Sequence, residues 1–118
     1  MQGEVSLVRP GAIAMSGEID MAVEDQLTIV RRGIDRLVAS SGAGGQDCPR
    51  DWVVDVRSVT FMDSTGLGFL AHTHRVLSER GGSVTVVGPS PTIMRTLSIV
   101  HLDEVLKIVD ELPLDDTR

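Results

Sequence analysis

Four consecutive residues carry the clearest chemical potential in this chain: Asp63, Ser64, Thr65 and Gly66. They follow an apolar run at residues 52–56, which is typical of a strand, and they precede a pattern of apolar residues at helical spacing. The group therefore falls where a strand passes into a helix. Backbone N–H groups at a helix start lack partners and carry partial positive charge, so a hydroxyl there is well placed to carry a phosphate.

Helix capping is the simpler explanation of the same four residues. Asp, Ser and Thr are preferred N-cap residues, and one of them is expected before an apolar helix. However, the group holds more polar side chains than one cap requires, and Phe61 and Met62 lead into it, which indicates a loop anchored by apolar packing. In parallel α/β sheets, ligands and partners engage at the carboxyl ends of strands, where this loop is expected.

Two other kinds of chemistry compete for this segment. A serine nucleophile needs an oriented base and an oxyanion hole, and the sequence around Ser64 is not Gly-x-Ser-x-Gly, so we assign no catalytic residue. A receiver-like module would instead use Asp63 as the phosphoacceptor, with Mg²⁺ held by an acidic cluster. Glu18 and Asp20 could imitate such a cluster, so this alternative stays open.

The three histidines do not predict a metal site. His72 and His74 are two residues apart on a predicted helix, so their side chains point about 200° apart and cannot share an ion. His101 has only Asp103 as a ligand-like neighbour. We predict neither a metal nor a cofactor.

Length and charge limit the possible classes. The chain has 118 residues, enough for one domain, with 42% apolar and 24% charged residues, as in ordinary folded domains. Its net charge of −6 argues against nucleic-acid binding and against adhesion to anionic membrane. The core must be built from Val, Leu, Ile and Met, because aromatic residues are few.

Cysteine content and the N-terminus indicate the compartment. Cys48 is the only cysteine, so no intrachain disulfide can form, and its neighbours Asp47 and Pro49 favour an inert surface thiol. The first residues lack the basic start and apolar run of a signal peptide, and no stretch is apolar enough to span a membrane. We therefore expect a free-standing, monomeric protein of the cytoplasm.

In the first half of the chain, short apolar pieces around residues 9–11 predict an opening hairpin, and residues 16–20 are expected to break the second strand. Asp20 is then expected to cap a helix of about five turns. Its apolar stripe consists of Val23, Leu27, Val30, Ile34 and Leu37. Residues 40–46 are expected to form a flexible loop.

The second half reads as a strand–helix–strand unit followed by shorter elements. The predicted elements are a strand at 52–56, a helix from 64 to about 80 ended by Gly81 and Gly82, a strand at 83–87, a short helix at 92–97 and a last strand at 105–109. The spacing predicts a parallel, right-handed βαβ unit. The expected fold class is α/β, a single domain over 1–118. Its mostly parallel, mixed sheet is opened by a hairpin and packed with helices, and its tail is frayed from about residue 111.

The segment from Asp55 to Leu70 resembles the central motif of the anti-sigma factor antagonists of the STAS domain family. Two weaker similarities flank it. Residues 17–20, Gly-Glu-Ile-Asp, are similar to the Gly-Glu-Leu-Asp after the family's opening strands, and residues 88–91 with Leu97 and Leu102 are similar to its closing region. Together these similarities cover nearly the whole chain and imply the STAS fold.

The resemblance implies a partner switch centred on Ser64. The unphosphorylated protein would bind an anti-sigma factor that is also a serine kinase, and a sigma factor would be released. Phosphorylation of Ser64 would end the complex, and a serine phosphatase would reset it. The implied partner-binding residues are Asp63, Ser64, Thr65, Gly66 and Phe69. For Phe69 and Val76, which lie off the main apolar stripe, burial under a neighbouring helix is an equal alternative.

The chain also departs from the family pattern. His101 stands where many relatives carry Gly, the loop at 40–50 is long and rich in glycine, and little chain remains for a full closing helix. The identity of the partner therefore stays open. A STAS scaffold or a nucleotide-binding module without a sigma-factor role is a further alternative.

Overall fold

The computed structural model describes residues 2–40 and 48–111, which form one five-stranded sheet with three α-helices. The strands are β1 (Glu4–Arg9), β2 (Ala12–Ile19), β3 (Asp51–Met62), β4 (Ser83–Val87) and β5 (Lys107–Val109). The helices are α1 (Glu24–Ser40), α2 (Ser64–Ser78) and α3 (Pro91–Ile99), and short 3₁₀ turns occupy Met21–Val23 and Leu102–Glu104. Of the predicted flexible loop at 40–46, Ser40 is instead the last residue of α1, and 41–46 lie outside the described residues. Of the tail predicted from about residue 111, only residue 111 is described.

The sheet has the order β1-β2-β3-β4-β5, in which only the β1–β2 pair is antiparallel. This confirms the predicted mixed sheet, its opening hairpin and the parallel strand–helix–strand unit. The hairpin turn passes through Gly11, whose φ of 97° lies in the left-handed region that glycine tolerates best.

Strands β2 and β3 are both longer than the sequence predicts. Residues 16–20 do not break β2, which continues to Ile19, because Gly17 takes a φ of 71° where the pairing with β3 shifts register. Strand β3 continues from Val56 to Met62 because its second half pairs with the end of β2, as in the pair Ile19–Met62. Polar residues in that half conceal the strand in the sequence.

The ends of the helices follow local sequence signals. Asp20 caps the 3₁₀ turn that leads into α1, since its carboxylate accepts the Ala22 N–H at 3.0 Å. Helix α2 ends at Ser78, about two residues before its predicted end, and the predicted glycine end follows: Gly81 has a φ of 80°, and the Gly82 N–H donates to the Leu77 carbonyl at 2.9 Å. Helix α3 begins at Pro91 and extends two residues beyond its predicted end.

The last strand is shorter than predicted. Val105 ends the turn at Leu102–Glu104, so β5 begins only at Lys107. His101, before that turn, has a φ of 64°, a conformation that glycine adopts at lower cost. Its Nδ1 lies 2.9 Å from a carboxylate oxygen of Glu104. The turn thus has a shape that suits glycine, although a histidine occupies it.

The core consists mainly of Val, Leu, Ile and Met side chains, as predicted, and Trp52 is fully buried within it. The predicted stripe of α1 faces this core, with Leu37 only partly buried. The expectation of a surface thiol is wrong, because Cys48 packs into the core with 7% of its surface exposed. Helix α1 packs against β1 and α2, and α2 packs against β3 and β4.

Candidate functional site

Asp63 and Ser64 lie where the sequence analysis expects them, at the carboxyl end of a strand that has parallel neighbours on both sides. Strand β3 ends at Met62 and α2 begins at Ser64, so Asp63 alone connects them. The Asp63 N–H donates to the Ile19 carbonyl at 3.1 Å, which fixes this connection to the end of β2. The site is therefore held by two strands of the sheet.

Asp63 is the N-cap of α2. Its backbone is extended, with φ −106° and ψ −166°, and its Oδ1 accepts the Thr65 N–H at 2.8 Å. Its carbonyl accepts the Leu67 N–H at 3.1 Å. Capping thus explains the aspartate but not the two hydroxyls that follow it.

Ser64 is exposed at the first position of α2. Within residues 2–40 and 48–111 its hydroxyl makes no hydrogen bond, so it can be reached without breaking an existing contact. Thr65, the next residue, is half-buried.

An open groove of about 290 Å³ lies between the first two helices, beside Ser64. It is lined by Glu24, Leu27, Thr28 and Arg31 from α1, and by Ser64, Thr65, Gly68 and Phe69 from α2. We refer to it as the α1–α2 groove. None of its lining residues is a histidine, so it offers no imidazole base to Ser64.

The two glycines at the start of α2 differ in their surroundings. Gly66 is buried, and a Cβ on it would lie 2.6 Å from Cγ of Met62 and 2.9 Å from Cγ2 of Ile19. The close approach that requires Gly66 is therefore internal to the domain. A Cβ on Gly68 would have no neighbour within 4 Å among the described residues.

Phe69 belongs to the core, with 3% of its surface exposed, and it also forms part of the groove wall. Of the two interpretations left open by the sequence, burial accounts for this residue. Val76 is half-buried. A contact of Phe69 or Gly66 with a partner stays a prediction.

The receiver-like alternative gains no support from the acidic residues near the site. In the part of the chain that the structure describes, no three His, Cys, Asp or Glu side chains are grouped as metal ligands would be. The carboxylates of Asp63 and Asp20 already accept backbone N–H groups, and using either as a ligand or phosphoacceptor would compete with its cap.

No helix in residues 2–40 and 48–111 is both long and apolar enough to cross a membrane.

Asp55, which opens the family-like segment, lies on β3 outside the groove. Arg57 donates from Nη2 to one Asp55 oxygen at 2.8 Å, and from Nε to the other at 3.1 Å. These hydrogen bonds, more than the ion pair's charge, lower the pKa of Asp55 below its usual value. The pair stabilises the carboxylate at the sheet surface.

Sequence reasoning missed the α1 side of the groove, namely Glu24, Thr28 and Arg31. Thr28 and Arg31 are three residues apart and so share one face of α1, next to its apolar stripe. Such spacing marks the border of a buried face but does not tell which element lies against it.

Comparisons with known proteins agree with this architecture. A family model described as the STAS domain matches residues 5–113. The anti-sigma F factor antagonist of Paenibacillus polymyxa is 26% identical over 98 residues, covering 83% of this chain and 76% of that protein.

Solved structures are similar over almost the entire chain. An anti-sigma factor antagonist from Mycobacterium paratuberculosis aligns with a TM-score of 0.65 at 29% identity, covering 98% of this chain and 88% of that one. The unphosphorylated form of the antagonist SpoIIAA aligns with a TM-score of 0.68 at 17% identity, covering 98% of this chain and 92% of that one. At this identity the match shows a shared fold. Because the family match spans most of the 118 residues and the five-stranded mixed sheet is the same, this chain belongs to the STAS domain family.

Proposed function

We propose that this chain is an anti-sigma factor antagonist that is switched off by phosphorylation of Ser64. Its partner is an anti-sigma factor with serine kinase activity, and binding of that partner releases a sigma factor. A serine phosphatase restores the active form. The chain acts in the cytoplasm as a monomeric binding protein, without a catalytic role or a cofactor of its own.

One observation carries the proposal: the Ser64 hydroxyl is exposed at the start of α2, directly after an aspartate that caps the helix. A kinase can reach this hydroxyl without unfolding the domain. The names of two relatives, the anti-sigma F factor antagonist of Paenibacillus polymyxa and the anti-sigma factor antagonist of Mycobacterium paratuberculosis, support the class of partner.

The partner-binding surface includes Asp63, Ser64 and Thr65. Asp63 serves the kinase as a recognition residue in addition to its capping role, and Thr65 supplies a second hydroxyl. Gly66 and Phe69 contribute indirectly, since both are buried and determine the shape of the surface that carries the polar residues.

The switch is electrostatic. A phosphate adds about 1.5 to 2 negative charges at neutral pH. In a closed interface next to Asp63, this charge meets like-charge repulsion and loses its hydration. An uncompensated buried charge costs on the order of 3–5 kcal/mol, which corresponds to a loss of affinity of about a hundred- to several thousand-fold.

Calorimetric titration with the anti-sigma factor of the source organism tests this proposal. We expect Ser64→Ala to bind like the wild type and Ser64→Glu to bind at least about tenfold more weakly, because glutamate carries part of the phosphate's charge. Ser78→Glu is the matched control, since Ser78 is exposed at the other end of the same helix. Equal affinities of the Ala and Glu variants at position 64 would contradict the proposal.

The modification itself is checked by mass spectrometry. After incubation with ATP and the anti-sigma factor, the wild type should gain one phosphate that maps to Ser64, and Ser64→Ala should gain none. An acid-labile phosphate on Asp63 would instead favour the receiver-like alternative.

A further inference from the structure

We propose that the phosphate on Ser64 is bound within the same molecule by Arg31, across the α1–α2 groove. This inference rests on the proposed phosphorylation of Ser64 and names the group that receives the phosphate. It assigns a role to a residue on α1, a helix that the family-like motif does not include.

The first observation is the placement of Arg31. Arg31 and Ser64 line the same groove from opposite helices. Arg31 is exposed, and its guanidinium makes no hydrogen bond or ion pair with any other residue in 2–40 or 48–111. Its side chain can therefore turn toward Ser64 without leaving another partner.

The second observation is the sign of the charges around the phosphate position. Arg31 is the only cation among the lining residues, while Glu24 on α1 also lines the groove. Asp63 precedes the serine, and Asp20 caps the turn before α1. Farther along the two helices, Asp35 of α1 lies 3.7 Å from Nε2 of His72 of α2. The phosphate thus enters a mainly acidic neighbourhood in which one guanidinium is available.

The start of α2 provides less compensation than a bare helix terminus would. The Asp63 carboxylate already accepts the Thr65 N–H, and the Asp63 N–H donates to the Ile19 carbonyl. Two of the N–H groups that could stabilise a phosphate are therefore occupied. A side chain can add to the compensation that the remaining N–H groups provide, and a guanidinium suits a phosphate because its planar set of donors can bind two oxygens at once.

An ion pair between Arg31 and the Ser64 phosphate would also help to explain how phosphorylation ends the complex with the anti-sigma factor. In the unphosphorylated protein, Arg31 presents an unpaired positive charge beside the proposed partner surface. Once Ser64 is phosphorylated, the same guanidinium is engaged by the phosphate, so the surface gains negative charge and loses an available cation in one step.

The experiment measures the second pKa of the phosphate by ³¹P NMR titration. Phosphoserine is placed at position 64 during translation, so that no kinase is required, in wild type, Arg31→Gln and Arg32→Gln. A nearby cation favours the doubly charged phosphate, so we expect this pKa to be lower by about half a unit in the wild type than in Arg31→Gln, the size typical of an exposed ion pair.

Arg32→Gln is the matched control, because Arg32 is also exposed on α1 but does not line the groove. The phosphate in Arg32→Gln should have the same second pKa as in the wild type. Arg31→Lys should restore part of the pKa difference that Arg31→Gln removes. The difference between wild type and Arg31→Gln should shrink in 0.5 M salt. The same pKa in wild type and Arg31→Gln, or equal shifts in the two Gln variants, would overturn the inference.

This outcome is independent of the proposed function. Failure of the anti-sigma factor to bind or phosphorylate the protein would overturn the proposed function but would leave the titration interpretable. Conversely, if the phosphate had the same pKa in Arg31→Gln as in the wild type, the proposed partner switch would stand and only the role of Arg31 would be refuted.

Discussion

At the residue scale, neighbouring side chains at the start of α2 have separate physical duties. Asp63 caps the helix, Ser64 presents a hydroxyl to solvent, and Gly66 leaves space for two core side chains. A motif of adjacent letters therefore combines a structural requirement with a chemical one. Substitutions within it must be chosen to affect one duty at a time.

Gly66→Ala tests the close packing of Gly66 against Met62 and Ile19. The new methyl group would meet Met62 and Ile19 at less than 3 Å, and overpacking of this kind costs about 1–3 kcal/mol. That exceeds the gain of about 1 kcal/mol at most from replacing glycine within a helix. We expect the free energy of unfolding, measured in urea, to decrease.

Gly68→Ala is the control, because its methyl group meets nothing within 4 Å among the described residues. This variant should be as stable as the wild type or more stable by up to about 1 kcal/mol. If both variants had the same stability, the close packing described at Gly66 would be wrong.

At the element scale, α2 is fixed at both ends by local signals. Asp63 holds its start to β2 and β3, and the Gly81–Gly82 pair closes its end against Leu77. A helix defined in this way presents Ser64 in one orientation. The direction of the Ser64 Cα–Cβ bond is thus set by the helix, whereas the exposed hydroxyl can rotate about that bond.

Replacement of Asp63 separates capping from recognition. Asp63→Ala should lower the free energy of unfolding by about 0.5–2 kcal/mol, because the Thr65 N–H loses its acceptor. Asp63→Asn should keep nearly the stability of the wild type, since asparagine caps as well as aspartate. Urea denaturation measures both effects.

Phosphorylation rates of the same two variants then show whether the charge matters to the kinase. If Asp63 is also a recognition residue, Asp63→Asn should be phosphorylated more slowly than the wild type in spite of its intact fold. A wild-type rate for Asp63→Asn would restrict Asp63 to capping.

At the scale of the whole molecule, the packing of the sheet and the helices does not depend on the Ser64 side chain. Trp52 and the inward-facing strand residues such as Val54 and Val56 are fully buried, whereas Ser64 lies at the surface. A charge added at position 64 therefore meets water and the groove in the free protein, and it becomes costly only in a complex.

Ser64→Glu should accordingly leave global stability unchanged. Its free energy of unfolding, followed by Trp52 fluorescence, is expected to lie within about 0.5 kcal/mol of the wild type, as is usual for surface substitutions. A negative charge in the first turn of a helix is mildly favourable. A decrease of 2 kcal/mol or more would show that the switch acts through unfolding instead of through the interface.

Local sequence patterns determined the parts of this protein that depend on neighbouring residues. The hairpin turn, the α1 stripe, the glycine end of α2 and the position of Ser64 at a strand–helix junction all follow from local spacing and turn chemistry. The hairpin and the strand–helix–strand spacing also predicted the mixed sheet, and the family resemblance added the expected partner.

Only the tertiary structure decided features that depend on distant pairing. Strand β2 continues through Gly17, and β3 extends to Met62, because each strand supplies hydrogen-bond partners to the other across some 40 residues of chain. Cys48 is buried and Gly66 is crowded because of side chains from remote segments. The meeting of Arg31 with Ser64 likewise requires the packing of α1 against α2, since no short-range pattern specifies which helix covers which.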